Sequence, residues 1–235
     1  MKLKVIALGS QPWERKIFRW GLSFLVGKDI LFDTFGREDV FATNIKKFGI
    51  DVTEIKHIII SHSHWDHTRG LFYLAHNYSH LKFKTYILKD FGSEFKSRIK
   101  KFQNLDVIEE NKSLRIKPNI YTTGKINFTA IPEQALVIEK KQGLTVITGC
   151  AHPGIVKMVN SIRRKFGKEI IFLIGGFHLK DKNKYEIVKI VNKLRDKNIN
   201  KVAPTHCTGE IAIEYFQKLW GNNFLHLQEG MEIEI

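Results

Sequence analysis

Short apolar, β-branched runs recur along this chain, and between them lie stretches whose apolar positions fall three and four residues apart. The first pattern predicts strands at 4–8, 22–26, 29–32, 57–60, 84–88, 135–139, 144–148, 170–174 and 201–203, with a last one near 231–235. The second predicts helices at 40–48, 68–76, 155–166, 185–194 and 211–220. Residues 155–166 put Ile155, Val156, Met158, Val159 and Ile162 on one helical face. Residues 185–194 do the same with Ile187, Val188, Ile190, Val191 and Leu194. The first half is rich in strands, with a hairpin-like pair at 22–26 and 29–32. The second half repeats strand, loop, helix. Together they predict a layered α/β (α+β) chain with sheets inside and helices outside. Residues 104–134, a polar mix holding Pro118, Gly124 and Pro132, read as surface loops. No repeat or linker composition divides the chain, so 1–235 is expected to be a single domain.

Bulk properties narrow the setting. A chain of 235 residues can bury a full core. No apolar run is long enough to span a bilayer, and the first residues lack the apolar stretch of a signal peptide. The expected location is therefore the cytoplasm, with no membrane partner. Cys150 and Cys207 are the two cysteines; they are too few for a disulfide framework and read as reduced packing residues. The formal net charge of +14 favours an anionic partner: nucleic acid, membrane surface or a phosphorylated small molecule. The Lys and Arg runs at 96–101, 163–168, 180–184 and 193–201 are broken by acidic and apolar residues, as solvated helix faces are. That pattern favours a phosphorylated small molecule over nucleic acid.

The chemistry is concentrated at residues 61–67, Ser-His-Ser-His-Trp-Asp-His. His62, His64, Asp66 and His67 place four metal-competent side chains within six positions, between the apolar run Ile58-Ile59-Ile60 and a helix start at Thr68. At a strand end, His62 and His64 would point the same way, and Asp66 and His67 would follow after the turn. Imidazole with carboxylate suits zinc, then manganese or iron, better than calcium or magnesium. Three further histidines also follow apolar strands. They sit in Gly149-Cys150-Ala151-His152-Pro153-Gly154, Gly175-Gly176-Phe177-His178-Leu179 and Thr205-His206-Cys207-Thr208-Gly209. Strand ends of one sheet share an edge, so residues from different strands can meet there. The shared setting makes His152 and His206 candidate ligands and leaves the role of His178 open. His57, His76, His80 and His226 lack it and read as core or surface.

These motifs resemble the metallo-β-lactamase superfamily. The resemblance rests on His62-Ser63-His64-Trp65-Asp66-His67, on Ile30-Leu31-Phe32-Asp33-Thr34 upstream and on the strand-end histidines downstream. It implies a four-layer αββα sandwich binding one or two divalent metal ions. His62, His64 and His152 would hold one ion, and Asp66, His67 and His206 a second. The patterns around His152, His178 and His206 are similar to an archaeal and bacterial branch that includes a synthase of pterin biosynthesis. That synthase joins a dihydropterin-methyl diphosphate to an aminobenzene ribosyl phosphate. The chain lacks the Gly-Asp pair that commonly supplies a bridging ligand; Gly149-Cys150 and His178 stand in comparable slots.

The resemblance implies a metal-dependent hydrolase or a dihydropterin-diphosphate-dependent transferase. Asp66 would hold metal and orient water, Asp33 would accept from a ligand imidazole, and His178 would serve as general acid–base or substrate contact. Arg69, beside the cluster, could touch an anionic substrate. Two competing readings are a metallo-nuclease or phosphodiesterase acting on RNA or DNA, and a binding module without catalysis.

Overall fold

The computed structural model describes residues 1–11 and 19–235. In chain order its strands are β1 (Lys2–Gln11), β2 (Arg19–Val26), β3 (Ile30–Phe32), β4 (His57–Ile59), β5 (Phe83–Ile87), β6 (Leu105–Glu109), β7 (Arg115–Lys117), β8 (Ile120–Thr122), β9 (Leu136–Lys140), β10 (Gly143–Thr148), β11 (Ile170–Gly176), β12 (Lys201–Thr205) and β13 (Glu232–Glu234). The helices are α1 (Glu38–Lys47), α2 (Trp65–Asn77), α3 (Ser93–Ile99), α4 (Ile155–Phe166), α5 (Lys184–Arg195) and α6 (Glu210–Trp220). They form two compact units: Met1–Asn111 with Gln228–Ile235, and Lys112–Leu227.

The first unit holds a sheet in the order β13-β1-β2-β3-β4-β5-β6. Its β13 to β3 pairs are antiparallel, whereas β3 to β6 run parallel through the crossover segments that carry α1, α2 and α3. Ile6, Leu31 and Ile58 from the strands share a buried core with Phe41 and Ile45 of α1 and Leu71 and Leu74 of α2. The second unit holds the sheet β12-β11-β10-β9-β8-β7. Its β10, β11 and β12 are parallel, which sends their carboxyl ends to one edge. Val146, Leu173 and Val202 form a core there with Met158 and Val159 of α4, Ile187 and Val191 of α5, and Phe216 and Trp220 of α6. Of the apolar faces read at 155–166 and 185–194, Ile155, Met158, Val159 and Ile162 of α4 and Ile187, Val191 and Leu194 of α5 are buried, and Val156, Val188 and Ile190 are half-buried. Among the described residues no helix is long and apolar enough to cross a membrane.

Two expectations are corrected. Residues 104–134 are not all loop, because β6, β7 and β8 lie there. The β7–β8 hairpin turns at Pro118-Asn119, with Asn119 at φ 63°; proline then a left-handed Asn is a recognised turn pair. Its strands are three residues each and only partly buried, too short for alternation to register. The helix after the histidine cluster also begins earlier than Thr68. It starts at Trp65, where the His67 amide donates to the His64 carbonyl at 3.1 Å. An aspartate in the first turn, Asp66, complements the helix dipole.

One glycine fixes how β2 meets the histidine loop. Gly21 has φ +116°, and a Cβ there would stand 1.9 Å from the Asp66 carbonyl oxygen. Gly21→Ala therefore combines backbone strain with a main-chain collision. It should destabilise the protein by about 2–4 kcal/mol. Urea unfolding checks this, and an unchanged midpoint would contradict the close approach.

Candidate functional site

In the first unit, β3 and β4 deliver one polar network. β4 ends at Ile59, and residues 61–64 form a turn rather than a strand continuation. The ring centroids of His62 and His64 are 4.6 Å apart and those of His62 and His67 4.2 Å apart. Asp33, one residue past β3, is fully buried at φ 54°. It accepts from the Ser61 amide at 2.7 Å, from Ser61 Oγ at 2.7 Å and, through Oδ2, from His67 Nδ1 at 2.6 Å. Ser61 Oγ also lies 2.9 Å from His62 Nδ1. The Nδ1 side of both imidazoles is thus engaged from behind, which leaves their Nε2 atoms as the donors a metal would take. An acceptor behind a ligating imidazole is the usual arrangement in metal sites.

The electrostatics point the same way. Burial disfavours charge on His67, but Asp66 and Asp33 outweigh it and hold its pKa well above the usual imidazole value. Asp66 Oδ2 lies 3.2 Å from His67 Nε2, opposite the Asp33 contact. Two carboxylates therefore draw positive charge into a buried place, either a proton on His67 or a cation in its stead. This donor set fits a divalent transition metal.

In the second unit, three parallel strands present the other candidates. His152, His178 and His206 follow β10, β11 and β12 in turn, and their strand ends are tied together. The Gly176 amide donates to the Gly149 carbonyl at 3.1 Å, Thr148 Oγ1 to the Gly176 carbonyl at 2.9 Å, and the Leu179 amide to the Cys207 carbonyl at 3.1 Å. Ala151, His178 and His206 all adopt left-handed φ values, 61°, 52° and 52°. Such conformations cluster where a structure over-determines a functional loop.

The rings of His152 and His178 are 4.2 Å apart. Cys150 Sγ and ring nitrogens of His152 and His178 lie within 4.8 Å of one another, and Cys150 and His206 offer donor atoms equally close. Cys150, read from sequence as a packing residue, therefore stands among metal-competent donors. Hydrogen bonding to Cys207 raises the His178 pKa against the effect of burial. Burial pushes the Cys207 thiol up, yet hydrogen bonding to Cys150 and the nearby His206 and His178 hold it well below the usual thiol range.

One residue of this unit carried no sequence signal. Glu133 is fully buried just before β9. Its Oε1 accepts from the amides of Gly149, Cys150 and Ala151 at 3.1, 2.9 and 2.9 Å, and its Oε2 from the His152 amide at 2.9 Å. Ser61 was likewise passed over, although it directly precedes His62 in the motif. Asp33 stands behind His67 as the sequence suggested.

The sequence pattern of the metallo-beta-lactamase superfamily matches residues 21–162. The 7,8-dihydropterin-6-methyl-4-(beta-D-ribofuranosyl)-aminobenzene-5'-phosphate synthase of Methanocaldococcus jannaschii is 31% identical over 91% of this chain and 89% of its own length. An uncharacterized protein of the same organism is 26% identical over 98% of this chain and 99% of its own. Among solved structures, Tm1679, described as a metal-dependent hydrolase of the beta-lactamase superfamily, matches with a TM-score of 0.82 at 29% identity. That match covers 100% of this chain and 99% of the other.

Proposed function

This chain belongs to the metallo-beta-lactamase superfamily, and we propose that it is a metal-dependent transferase acting on phosphorylated small molecules, as one domain over 1–235 in the cytoplasm. The reaction proposed is one that would form the product in the name of its synthase relative. An aminobenzene ribosyl phosphate displaces diphosphate from a dihydropterin-methyl diphosphate. The methylene C–O bond breaks with its electron pair on the departing diphosphate, a bond to the arene's carbon or nitrogen forms, and the nucleophile loses a proton. The observation that carries the reading is the Asp33–Ser61–His62/His67 network, which presets two imidazoles for a cation. The 31% identity over 91% of the chain to a synthase supports the transferase reading.

His62, His64 and His152 would hold one divalent ion and Asp66, His67 and His206 a second. Zinc ranks first, with manganese or iron next; the thiol of Cys150 beside His152 favours the softer metals. When bound, such an ion supplies Lewis acidity toward phosphoryl oxygens and offsets charge on a leaving group. Asp33 fixes the ring of His67, and Ser61 that of His62. His178 is the candidate to take the proton lost by the nucleophile, because its buried Nδ1 has no hydrogen-bond partner among the described residues.

The nuclease reading draws less support. Several of the basic residues are committed to neighbours: Lys96 and Lys100 pair with Glu109, Lys168 with Glu139 and Arg163 with Glu169. The test combines metal analysis of the purified protein with turnover assays. The two named substrates should yield coupled product and diphosphate. Dihydropterin-methanol as the main product would make the enzyme a hydrolase, and cleavage of RNA or DNA alone would restore the nuclease reading.

Asp33→Asn keeps the shape of the network and removes its charge. It should weaken metal binding about 10- to 100-fold, as the loss of partners behind metal ligands does. Competition against a chromogenic chelator measures this. Unaltered affinity would mean that the carboxylate only braces the fold.

A further inference from the structure

We infer that a hollow beside the histidine loop binds the phosphorylated aryl riboside, and not the diphosphate substrate; the inference rests on the transfer reaction proposed above. The hollow lies wholly within the first unit and has a volume of about 340 Å³, within the size range of small-molecule sites. Ser63, Trp65 and Arg69 line it. Ser63 and Trp65 interleave with the candidate ligands and Arg69 follows them, and all three are exposed where His62, Asp66 and His67 are buried. Trp65 is the chain neighbour of both His64 and Asp66, its Cα about 3.8 Å from theirs. The hollow therefore adjoins the candidate metal ligands through the main chain itself.

Its chemistry is that of an aromatic anion site. Trp65 is 39% exposed, an unusual outlay for a large apolar ring. The Arg69 guanidinium sits 5.5 Å from the Trp65 ring centroid, and that of Arg98, from α3, sits 4.4 Å from the Phe72 ring. Neither guanidinium makes an ion pair among the described residues. Stacked arginines keep their N–H edges for a planar or tetrahedral anion, and phosphate takes two such donors at once.

The charge count selects the ligand. Glu38 and Glu94 also line the hollow and likewise make no ion pair among the described residues, so two carboxylates balance two guanidiniums. A net-neutral site of this kind exerts no long-range pull on a polyanion such as a diphosphate or a nucleic acid strand, as a basic site would. It suits a ligand with one phosphate, an aromatic ring and hydrogen-bond donors. An amine and ribose hydroxyls meet the two carboxylates, and the phosphate meets the guanidiniums. Of the two proposed substrates, the aminobenzene ribosyl phosphate has that make-up.

Calorimetric titration of the metal-loaded protein tests this. The probes are 4-(β-D-ribofuranosyl)aminobenzene 5'-phosphate, the same compound without its phosphate, and inorganic diphosphate. The variants are Trp65→Leu and Arg98→Gln, both at exposed positions, with Arg115→Gln, which is not among the lining residues, as a charge control. Arg98→Gln and Trp65→Leu should each weaken the aryl phosphate about ten- to hundredfold and leave metal content and diphosphate binding unchanged. The Arg98→Gln penalty should vanish for the compound without phosphate. Unchanged aryl phosphate affinity in both variants, an equal loss in Arg115→Gln, or a loss confined to diphosphate would each overturn the assignment while the reaction stood. A metal-loaded wild type that binds no aryl phosphate would instead sink the proposed reaction, and the assignment with it.

Discussion

His64→Ala is expected to yield a folded protein that has lost most of its metal affinity and, with it, its turnover. His64 is the cleanest candidate ligand to remove, because it is partly exposed and precedes the first turn of α2, whereas His62 and His67 are fully buried. Its truncation opens no closed cavity and cuts neither contact of Asp33 with Ser61 and His67. The magnitude follows from the donors. Zinc in four-donor peptide sites is bound by about 10–16 kcal/mol, or roughly two to three decades of affinity per donor. His64→Ala should lose about that much, and His62→Ala with His64→Ala together about four to six decades. Chelator competition and elemental analysis measure the loss, and urea unfolding in the presence of chelator shows whether the fold itself is intact. Wild-type metal content in the double variant would remove His62 and His64 from the site and leave their motif a hydrogen-bonded turn. Loss of turnover with full metal content would instead make His64 a substrate contact.

What made this site legible from sequence was local density. Four donors within six residues announce themselves, and an acid directly after the apolar strand Ile30–Phe32 is a natural companion. The faces of α4 and α5 were legible for a different reason: long amphipathic helices repeat their signal over three turns. The rest lacked either property. α3 buries a single residue, Ile99, so Ser93–Ile99 carries no apolar stripe to detect. The β7–β8 hairpin, at three residues a strand, is too short for alternation to stand out from noise. Glu133 was illegible in principle. Its partners are four backbone amides 16 to 19 residues further on, and backbone amides leave no mark in a sequence. The hollow at Trp65 was half legible, since Arg69 could be noticed but Arg98 reaches it only through the fold.

Glu133 is also where the second large effect is expected. A fully buried carboxylate is costly unless its lone pairs are filled, and here four N–H groups fill them. The same bonds hold the 149–152 loop in its left-handed turn at Ala151. Glu133→Ala removes the acceptor and strands the donors, so it should destabilise the protein by about 3–5 kcal/mol, the usual cost of deleting one side of a buried charged network. Glu133→Gln separates anchoring from charge. Its amide oxygen can keep the three bonds made by Oε1, but its NH2 then faces the His152 N–H, donor against donor. The expected loss is about 1–2 kcal/mol, with faster hydrogen exchange at the His152 amide than at Gly149, Cys150 or Ala151. Metal affinity should fall in the same variant, because the displaced backbone carries His152. Equal exchange at all four amides would mean that the glutamine has flipped or the loop has moved as a whole. A Glu133→Ala protein with the wild-type urea midpoint would show that the loop holds its shape unaided, and that the buried charge braces nothing.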